Sequence, residues 1–430
     1  MYQSSRFYDI AIIGAGPAGA MAAIRAGQLT KSVILLERND SIGKKILLTG
    51  QGRCNLTNTA SLDRFIRQFG KQGLFLRPAF LAFFNQDLRD FFESGGLKLK
   101  IERQGRIFPV TDKSYSVVKI LKAYLSKNGI KVFYNMRLID LKRKEGFLKL
   151  ELKGRISLQA KKVILATGGV SFKETGSSGD GFHVAEKFGH TITPLKPGLV
   201  PLKVKELWVK DLQGLSLKNI RIIFAAGEKS SLGEKRGRKK IVSDIGEMMF
   251  THFGVSGPLV LDLSAKVISI LEEHKEVHLF IDLKPALQTA QLEKRLLNEF
   301  SAKGKTQLKN IMKNLLPKKM IPVFVRLSGL NPAETANQIN RAGRRAIIDL
   351  LKALPLTVIG SLPIEEAMVT GGGISLKEIN PKTMESKIIP GLYFAGEIID
   401  GCASSGGYNL QQAFSTGYLA GEKAAITLSP

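Results

Sequence analysis

At 430 residues the chain exceeds one ordinary domain, and typical domain sizes predict two or three. Its 44% hydrophobic and 23% charged content argues against a disordered or membrane-spanning protein. Against 37 Asp and Glu stand 64 Lys and Arg, a net charge of +27 that favours anionic ligands or acidic partners. These cations are scattered apart from KRGRKK at 235–240, and that run lacks interleaved aromatics, so no specific nucleic-acid binding is expected.

The chain opens with an apolar strand (DIAIIG, 9–14), a glycine turn and an alanine-rich helix to about Gly27. A second short strand follows at 32–37 (SVILLE). Strand, turn, helix and strand in this order are the start of a doubly wound parallel sheet. The apolar stretch at 10–24 is broken by Gly14, Gly16, Pro17 and Gly19, so it reads as folded structure and not as a signal or membrane segment. Helical spacing recurs at 80–95 and 116–128, and a strand is expected at 131–135. A third buried strand at 161–169 (KKVILATGG) ends in glycines.

Three prolines in 194–201 (PLKPGLVP) mark a crossing into another domain. Short alternating strands at 202–204, 220–225 and 277–283 predict a barrel or small sheet. Helical patterns at 288–316 and 333–354, rich in Lys and Arg, predict a helical subdomain within it. From Ala367 the glycine-rich style of the first domain resumes. The expected organisation is a discontinuous Rossmann-like domain (1–193 and 364–430), a β-barrel-like insert (194–285 and 355–363) and a helical insert (286–354).

Gly14, Gly16 and Gly19 have the G-x-G-x-x-G spacing between strand and helix, where a dinucleotide pyrophosphate meets backbone N–H groups and the helix N-terminus. Glu37 ends the second strand with a carboxylate suited to an unphosphorylated ribose. The turn suits FAD and NAD equally. Two distant segments, VILATGG (163–169) and GLYFAGE (391–397), resemble the paired later strands of two-motif FAD enzymes, with Glu397 in place of the usual Asp. That resemblance favours FAD and puts Thr167, Gly168, Gly396 and Glu397 beside it. Gly407, Tyr408 and Asn409 open a further helix, expected to aim backbone N–H groups at the flavin pyrimidine edge.

The loop 43–55 supplies Lys45 and Arg53 as candidates for the pyrophosphate or flavin. Cys54 lies where disulfide reductases carry a redox pair, but the second cysteine is missing. With only Cys54 and Cys402 there is no disulfide framework and no metal spacing, which fits a cytoplasmic location. Proton-transfer candidates are His183 and His252, both in glycine-rich surroundings.

The segments 44–58, 246–258, 368–387 and 391–421 are similar to the YhiN/BaiN-type family of bacterial FAD-binding oxidoreductases over nearly the whole chain. The resemblance implies a Rossmann-like FAD domain interrupted by a barrel and a helical insert. It also implies FAD contacts at the glycine turn (Gly14, Ala15, Gly16 and Gly19), at Glu37 and Arg38, at Lys45, Arg53 and Cys54, near Leu138, at the Thr167 strand and from Glu397 to Asn409. The chain departs from common members at 401–405 (GCASS). GSSGDG at 176–181, with His183 and Ala185, resembles a stretch of the fumarate reductase flavoproteins, an analogy that favours hydride transfer at a carbon–carbon bond beside a carbonyl. The expected function is FAD-dependent oxidoreduction of a small organic substrate, with NADH or NADPH as a candidate transient reductant, since no second nucleotide motif is visible. The alternatives are an RNA-acting flavoenzyme and a flavin-binding regulatory protein without turnover.

Overall fold

The computed structural model describes residues 7–226 and 240–428, so residues 235–239 of the basic run lie outside the described residues. The chain divides into two compact units, Met1–Gly198 with Ile364–Pro430, and Leu199–Pro363.

The first unit is built on a parallel sheet. Its strands are β1 (Phe7–Ile13), β2 (Val33–Leu36), β3 (Lys131–Phe133), β4 (Ile156–Leu165) and β5 (Leu392–Phe394). They lie in the order β3-β2-β1-β4-β5, all parallel. The central strands read as unbroken apolar runs because both faces are covered, and Ile10, Ile12, Ile34, Leu35 and Ile164 are fully buried. An antiparallel hairpin, Leu138–Lys144 and Phe147–Leu152, extends the sheet from the first half of β4.

Two helices cover one another beside this sheet. Helix α1 (Pro17–Leu29) starts with Pro17 in the first turn, where a missing N–H costs nothing. Helix α2 (Tyr408–Ile426) packs on α1 with almost no side chain between the backbones. A Cβ on Gly417 would sit 2.2 Å from the Ala18 carbonyl oxygen, and one on Gly421 would sit 2.3 Å from that of Ala22. Small residues four apart therefore set how closely α1 and α2 approach.

The second unit holds a closed antiparallel barrel. Strands Ser216–Ala226, Gly246–Phe250, Gly254–Ser256, Leu202–Val204, Leu354–Ser361 and Val277–Asp282 pair in that order, and the last pairs back to the first. Closure removes the exposed edges of the ring. Helices Thr289–Ala302, Ile321–Ser328 and Arg341–Lys352 share its apolar core.

Three helical expectations need correction in extent. The pattern at 80–95 forms two helices, Gly73–Ala82 and Asn85–Ser94, the second starting where Asp87 accepts the Phe84 N–H at 2.7 Å. The first helix at 288–316 stops at Ala302, and only Leu308–Ile311 resumes α-helical form. The helix expected from 333 begins at Arg341, where the Asn340 side chain caps the Gly343 N–H at 2.9 Å. Apolar spacing persists across these breaks because the turns also face the core, so periodicity alone does not reveal them.

His190 was not singled out by sequence. It is buried between Glu378 (Nδ1 to Oε2, 3.2 Å) and Ser386 (Nε2 to Oγ, 2.9 Å). Burial holds its pKa below the usual value despite the carboxylate. It ties 190–191 to 378–386 and has no place on the cavity described next.

Candidate functional site

The first unit encloses a cavity with about 1280 Å³ of open space, including volume continuous with solvent. The ends of the parallel strands form its floor, at the position where open α/β sheets bind ligands. Each region of the wall can be traced to a local cause in the sequence.

At one end stands the glycine turn. Gly14 has φ +98°, and a Cβ there would strike the Ala166 carbonyl oxygen at 2.5 Å. A Cβ on Gly19 would lie 1.8 Å from the Gly14 oxygen, whereas one on Gly16 would meet nothing within 4 Å. Gly14 and Gly19 are therefore required by the protein's own packing, and Gly16 leaves open space at the mouth of α1. Glu37 closes this end. Its carboxylate accepts the Ala15 N–H at 2.7 Å and the Asn39 N–H at 2.8 Å while lining the cavity.

Arg38 and Arg137 converge on Asp180 beside Glu37. Arg137 forms a two-pronged pair, Nε and Nη2 each 2.8 Å from a carboxylate oxygen, and Arg38 Nη1 lies 3.1 Å away and also bonds Ser178. Burial would push Asp180 up, but the hydrogen bonds from Arg137 and Ser178 and the two guanidinium charges hold its carboxyl below the usual range. The planar fork of Arg137 matches both oxygens, which lysine could not do.

At the other end Glu397 is fully engaged. Its oxygens accept from Lys45 Nζ at 3.0 and 2.8 Å, from Ser171 Oγ at 3.1 Å and from the Thr370 N–H at 2.7 Å. Cys402 lies on the same wall. Burial, with the Glu397 and Asp400 charges, pushes its thiol up to about 11, so it is protonated at neutral pH.

Two polar atoms on the lining residues have no partner among the described residues. They are Thr167 Oγ1 and Gln412 Nε2, both shielded from solvent. An unsatisfied buried donor costs about 1–3 kcal/mol, so such atoms point to a polar ligand that completes them. The open space at Gly16, the ribose-type carboxylate of Glu37 and these donors fit an extended dinucleotide such as FAD.

Of the residues expected from sequence, Gly14, Gly16, Glu37, Arg38, Lys45, Leu138, Thr167, Gly168, Gly396, Glu397 and Asn409 line the cavity. Ala15 contributes through its N–H to Glu37 and Gly19 through packing. Several expectations are corrected. Arg53 is off the wall, paired with Glu102 at 2.9 Å and Asp112 at 3.4 Å and lying over the Phe108 ring. Cys54 is fully buried, and burial raises its thiol to about 12, so it is an inert core thiol. Gly407 packs on the Thr57 backbone. Tyr408 is buried in an aromatic cluster, its ring 4.7 Å from that of Phe65.

Neither histidine lines the cavity. His183 is exposed on helix Asp180–Lys187, and His252 is exposed in the second unit beside the Phe253 ring. Sequence reading missed Arg137, Ser171, Thr370, Cys402 and Gln412. Asp180 also went unassigned, although it stands inside GSSGDG. Asn409 has a positioning role: its side chain accepts the Ala403 N–H at 2.8 Å and donates to the Ala403 and Ser404 carbonyls, holding the 401–405 loop.

Residues 8–423 match the HI0933-like protein Rossmann domain family. The chain belongs to this family. A 3-dehydro-bile acid delta(4,6)-reductase of Clostridium scindens is 34% identical over 97% of this chain and 98% of its own length. A ribosomal RNA dihydrouridine synthase of Haemophilus influenzae is 29% identical over 96% of this chain and 98% of its own. Among solved structures, a 3-ketosteroid delta1-dehydrogenase from Sterolibacterium denitrificans superposes with a TM-score of 0.51 at 13% identity, covering 98% of this chain and all of that one, a likeness of fold. This HI0933-like chain is an FAD-dependent oxidoreductase. No helix among the described residues is long and apolar enough to cross a membrane.

Proposed function

We propose that this HI0933-like protein reduces a carbon–carbon double bond conjugated to a carbonyl, fed by transiently bound NADH or NADPH. The observation that carries the reading is the cavity wall that runs from Glu37 past Gly16 and Thr167 to the Lys45–Glu397 pair. The names of the two relatives point to one shared chemistry. A 3-oxo-Δ4 steroid acid and uracil both contain an alkene conjugated to a carbonyl.

Bound FAD supplies the two-electron, hydride-carrying chemistry. The protein's own groups do the rest. The Gly14–Gly16 turn and the α1 N-terminus would hold the pyrophosphate, Glu37 the adenosine ribose, and Glu397 with Lys45 the ribityl chain. Saturating a conjugated alkene adds a hydride at one carbon and a proton at the other. Cys402 Sγ is a protonated group on this wall and would hold that proton.

Purified protein is expected to show a flavin spectrum that bleaches anaerobically with NADH or NADPH and recovers when a cyclic enone is added, with the saturated ketone as product. Reduced flavin that persists with every conjugated acceptor and reoxidises only with oxygen would sink the reading. A second reading, favoured by the net charge of +27, has uridine in RNA as the acceptor. It expects recovery of the flavin on addition of ribosomal RNA, with a 2 Da mass gain on one uridine.

Replacing the cation at the far end of the cavity has a separate readout. Lys45→Met leaves Glu397 without its counter-charge, and a unit charge acting across the cavity is worth about 2 kcal/mol. For a two-electron couple this is about 45 mV. The midpoint potential of bound FAD is expected to fall by about that amount, and Lys45→Met with Glu397→Gln is expected to restore it. Dye-equilibration titration checks both, and an unchanged potential in the single variant removes Lys45 from this role.

A further inference from the structure

Apart from the run at 235–240, the second unit carries one long basic stretch among its described residues. Residues 303–345 contain ten Lys and Arg and a single acid, Glu334. Nine of the ten cations are exposed, and Arg344 is half-buried. They ride on Leu308–Ile311, Ile321–Ser328 and Arg341–Lys352 and on the turns between, which pack together around one apolar core.

Four of these cations have partners among the described residues: Arg344 donates to the Ile339 carbonyl at 3.1 Å, and three more are tempered at the surface. Arg326 pairs with Asp211 at 3.1 Å, Arg345 with Asp349 at 3.0 Å, and Lys319 donates to the Gln213 carbonyl. Lys303, Lys305, Lys309, Lys313, Lys318 and Arg341 have no acidic partner among the described residues. Like charges so dense repel one another unless an anion lies over them.

The apolar content of the same stretch decides which anion. No large hydrophobic side chain within 303–345 is exposed, and its only aromatic residue, Phe324, is buried. A surface that enters a lipid headgroup layer presents apolar side chains beside its cations, and this one presents none. A surface that reads bases presents exposed aromatics for stacking, and those are missing too. What is left is a set of flexible ammonium and guanidinium groups spaced along helices. That arrangement matches a phosphate backbone contacted without regard to sequence.

We propose that residues 303–345 form a docking surface for the phosphate backbone of RNA. The proposal rests on the RNA branch of the function above. It assigns the grip on the polymer to the helical part of the second unit and leaves choice of the reacting base to the cavity of the first.

The test compares two triple variants of the full-length holoprotein with equal charge change. One carries Lys309→Glu, Lys313→Glu and Lys318→Glu. The other carries Lys119→Glu, Lys122→Glu and Lys127→Glu on an exposed helix face of the first unit. Binding of a 30-nucleotide RNA hairpin is measured by fluorescence anisotropy between 50 and 200 mM salt. The first variant is expected to bind at least tenfold more weakly at 50 mM salt. Its log–log salt slope is expected to be shallower by about 2 to 3, one increment of roughly 0.7–0.9 per lost phosphate contact. The second is expected to stay within threefold of the parent protein. Equal losses in both would assign binding to bulk charge and overturn the proposal, as would an unbound parent protein. Stronger binding to vesicles containing phosphatidylserine than to the hairpin would overturn it in favour of a membrane. FAD content and thermal midpoint confirm that each variant is folded, and Lys→Gln versions replace any that is not. Enone-driven flavin reoxidation is recorded on the same samples, so failure of the catalytic reading and failure of the docking surface appear in different measurements.

Discussion

Gly19→Ala is expected to abolish retention of FAD and to lower the thermal stability of the apoprotein. The added methyl would lie 1.8 Å from the Gly14 carbonyl oxygen and 3.3 Å from the Ala166 Cβ. The nearer atom is backbone, so no rotamer change relieves the clash. Either α1 moves off the sheet or the turn opens. Overpacking of this kind costs about 1–3 kcal/mol even where side chains can give, and here the displaced atoms belong to the turn that faces the pyrophosphate. Gly16→Ala is the informative contrast. Its methyl would meet nothing within 4 Å, so the apoprotein should melt as the parent does while FAD affinity falls. The flavin-to-protein absorbance ratio after desalting, with the apoprotein melting temperature, checks both. A Gly19→Ala protein that keeps its flavin and its melting point would show that the turn is looser than its packing implies.

Glu37→Ala is expected to weaken FAD binding by about 100-fold or more and to destabilise the apoprotein by about 2–4 kcal/mol. The stability loss has a definite source. The carboxylate accepts two backbone N–H groups, Ala15 at 2.7 Å and Asn39 at 2.8 Å, and the residue is only 6% exposed. Removing it leaves both donors without an acceptor in a site that water reaches poorly. The affinity loss follows because the same carboxylate orders the glycine turn through Ala15 and faces the cavity. Glu37→Gln keeps the size and one acceptor oxygen, so an intermediate effect is expected. Urea denaturation of the apoprotein and fluorescence titration with FAD measure the two parts separately. A loss below tenfold with unchanged stability would mean that the carboxylate is dispensable to both.

These two positions were legible in the sequence because their chemistry is local. A glycine turn between strand and helix, with an acid at the end of the next strand, states its geometry through spacing alone, and the ATGG and AGE segments do the same at the ends of β4 and β5. Arg53 shows where such reading stops. It follows a glycine-rich loop and reads as a cofactor contact, yet Glu102 and Asp112 from distant segments draw it to the surface. Tyr408 is similar: an aromatic at a helix start beside the expected flavin turns into a cluster with Phe65, Phe80 and Phe84. In both cases a side chain that could satisfy a ligand found a protein partner first.

By itself the sequence determined the FAD-type fold class, the glycine turn, Glu37, Glu397 and the strands that carry them, because hydrophobic runs and glycine spacing act over a few residues. Only the tertiary structure decided which cations pair with carboxylates on the cavity wall, as Lys45 does with Glu397, and which pair away from it, as Arg53 does with Glu102. It also decided that Arg137 grips Asp180, that Cys402 joins the wall, that His183 and His252 do not, and that Thr167 and Gln412 keep unspent polar atoms. Those outcomes depend on pairs up to several hundred residues apart, such as Lys45 with Glu397. Whether such groups meet is set by how the strands are ordered and the helices packed, which no local pattern of residues records.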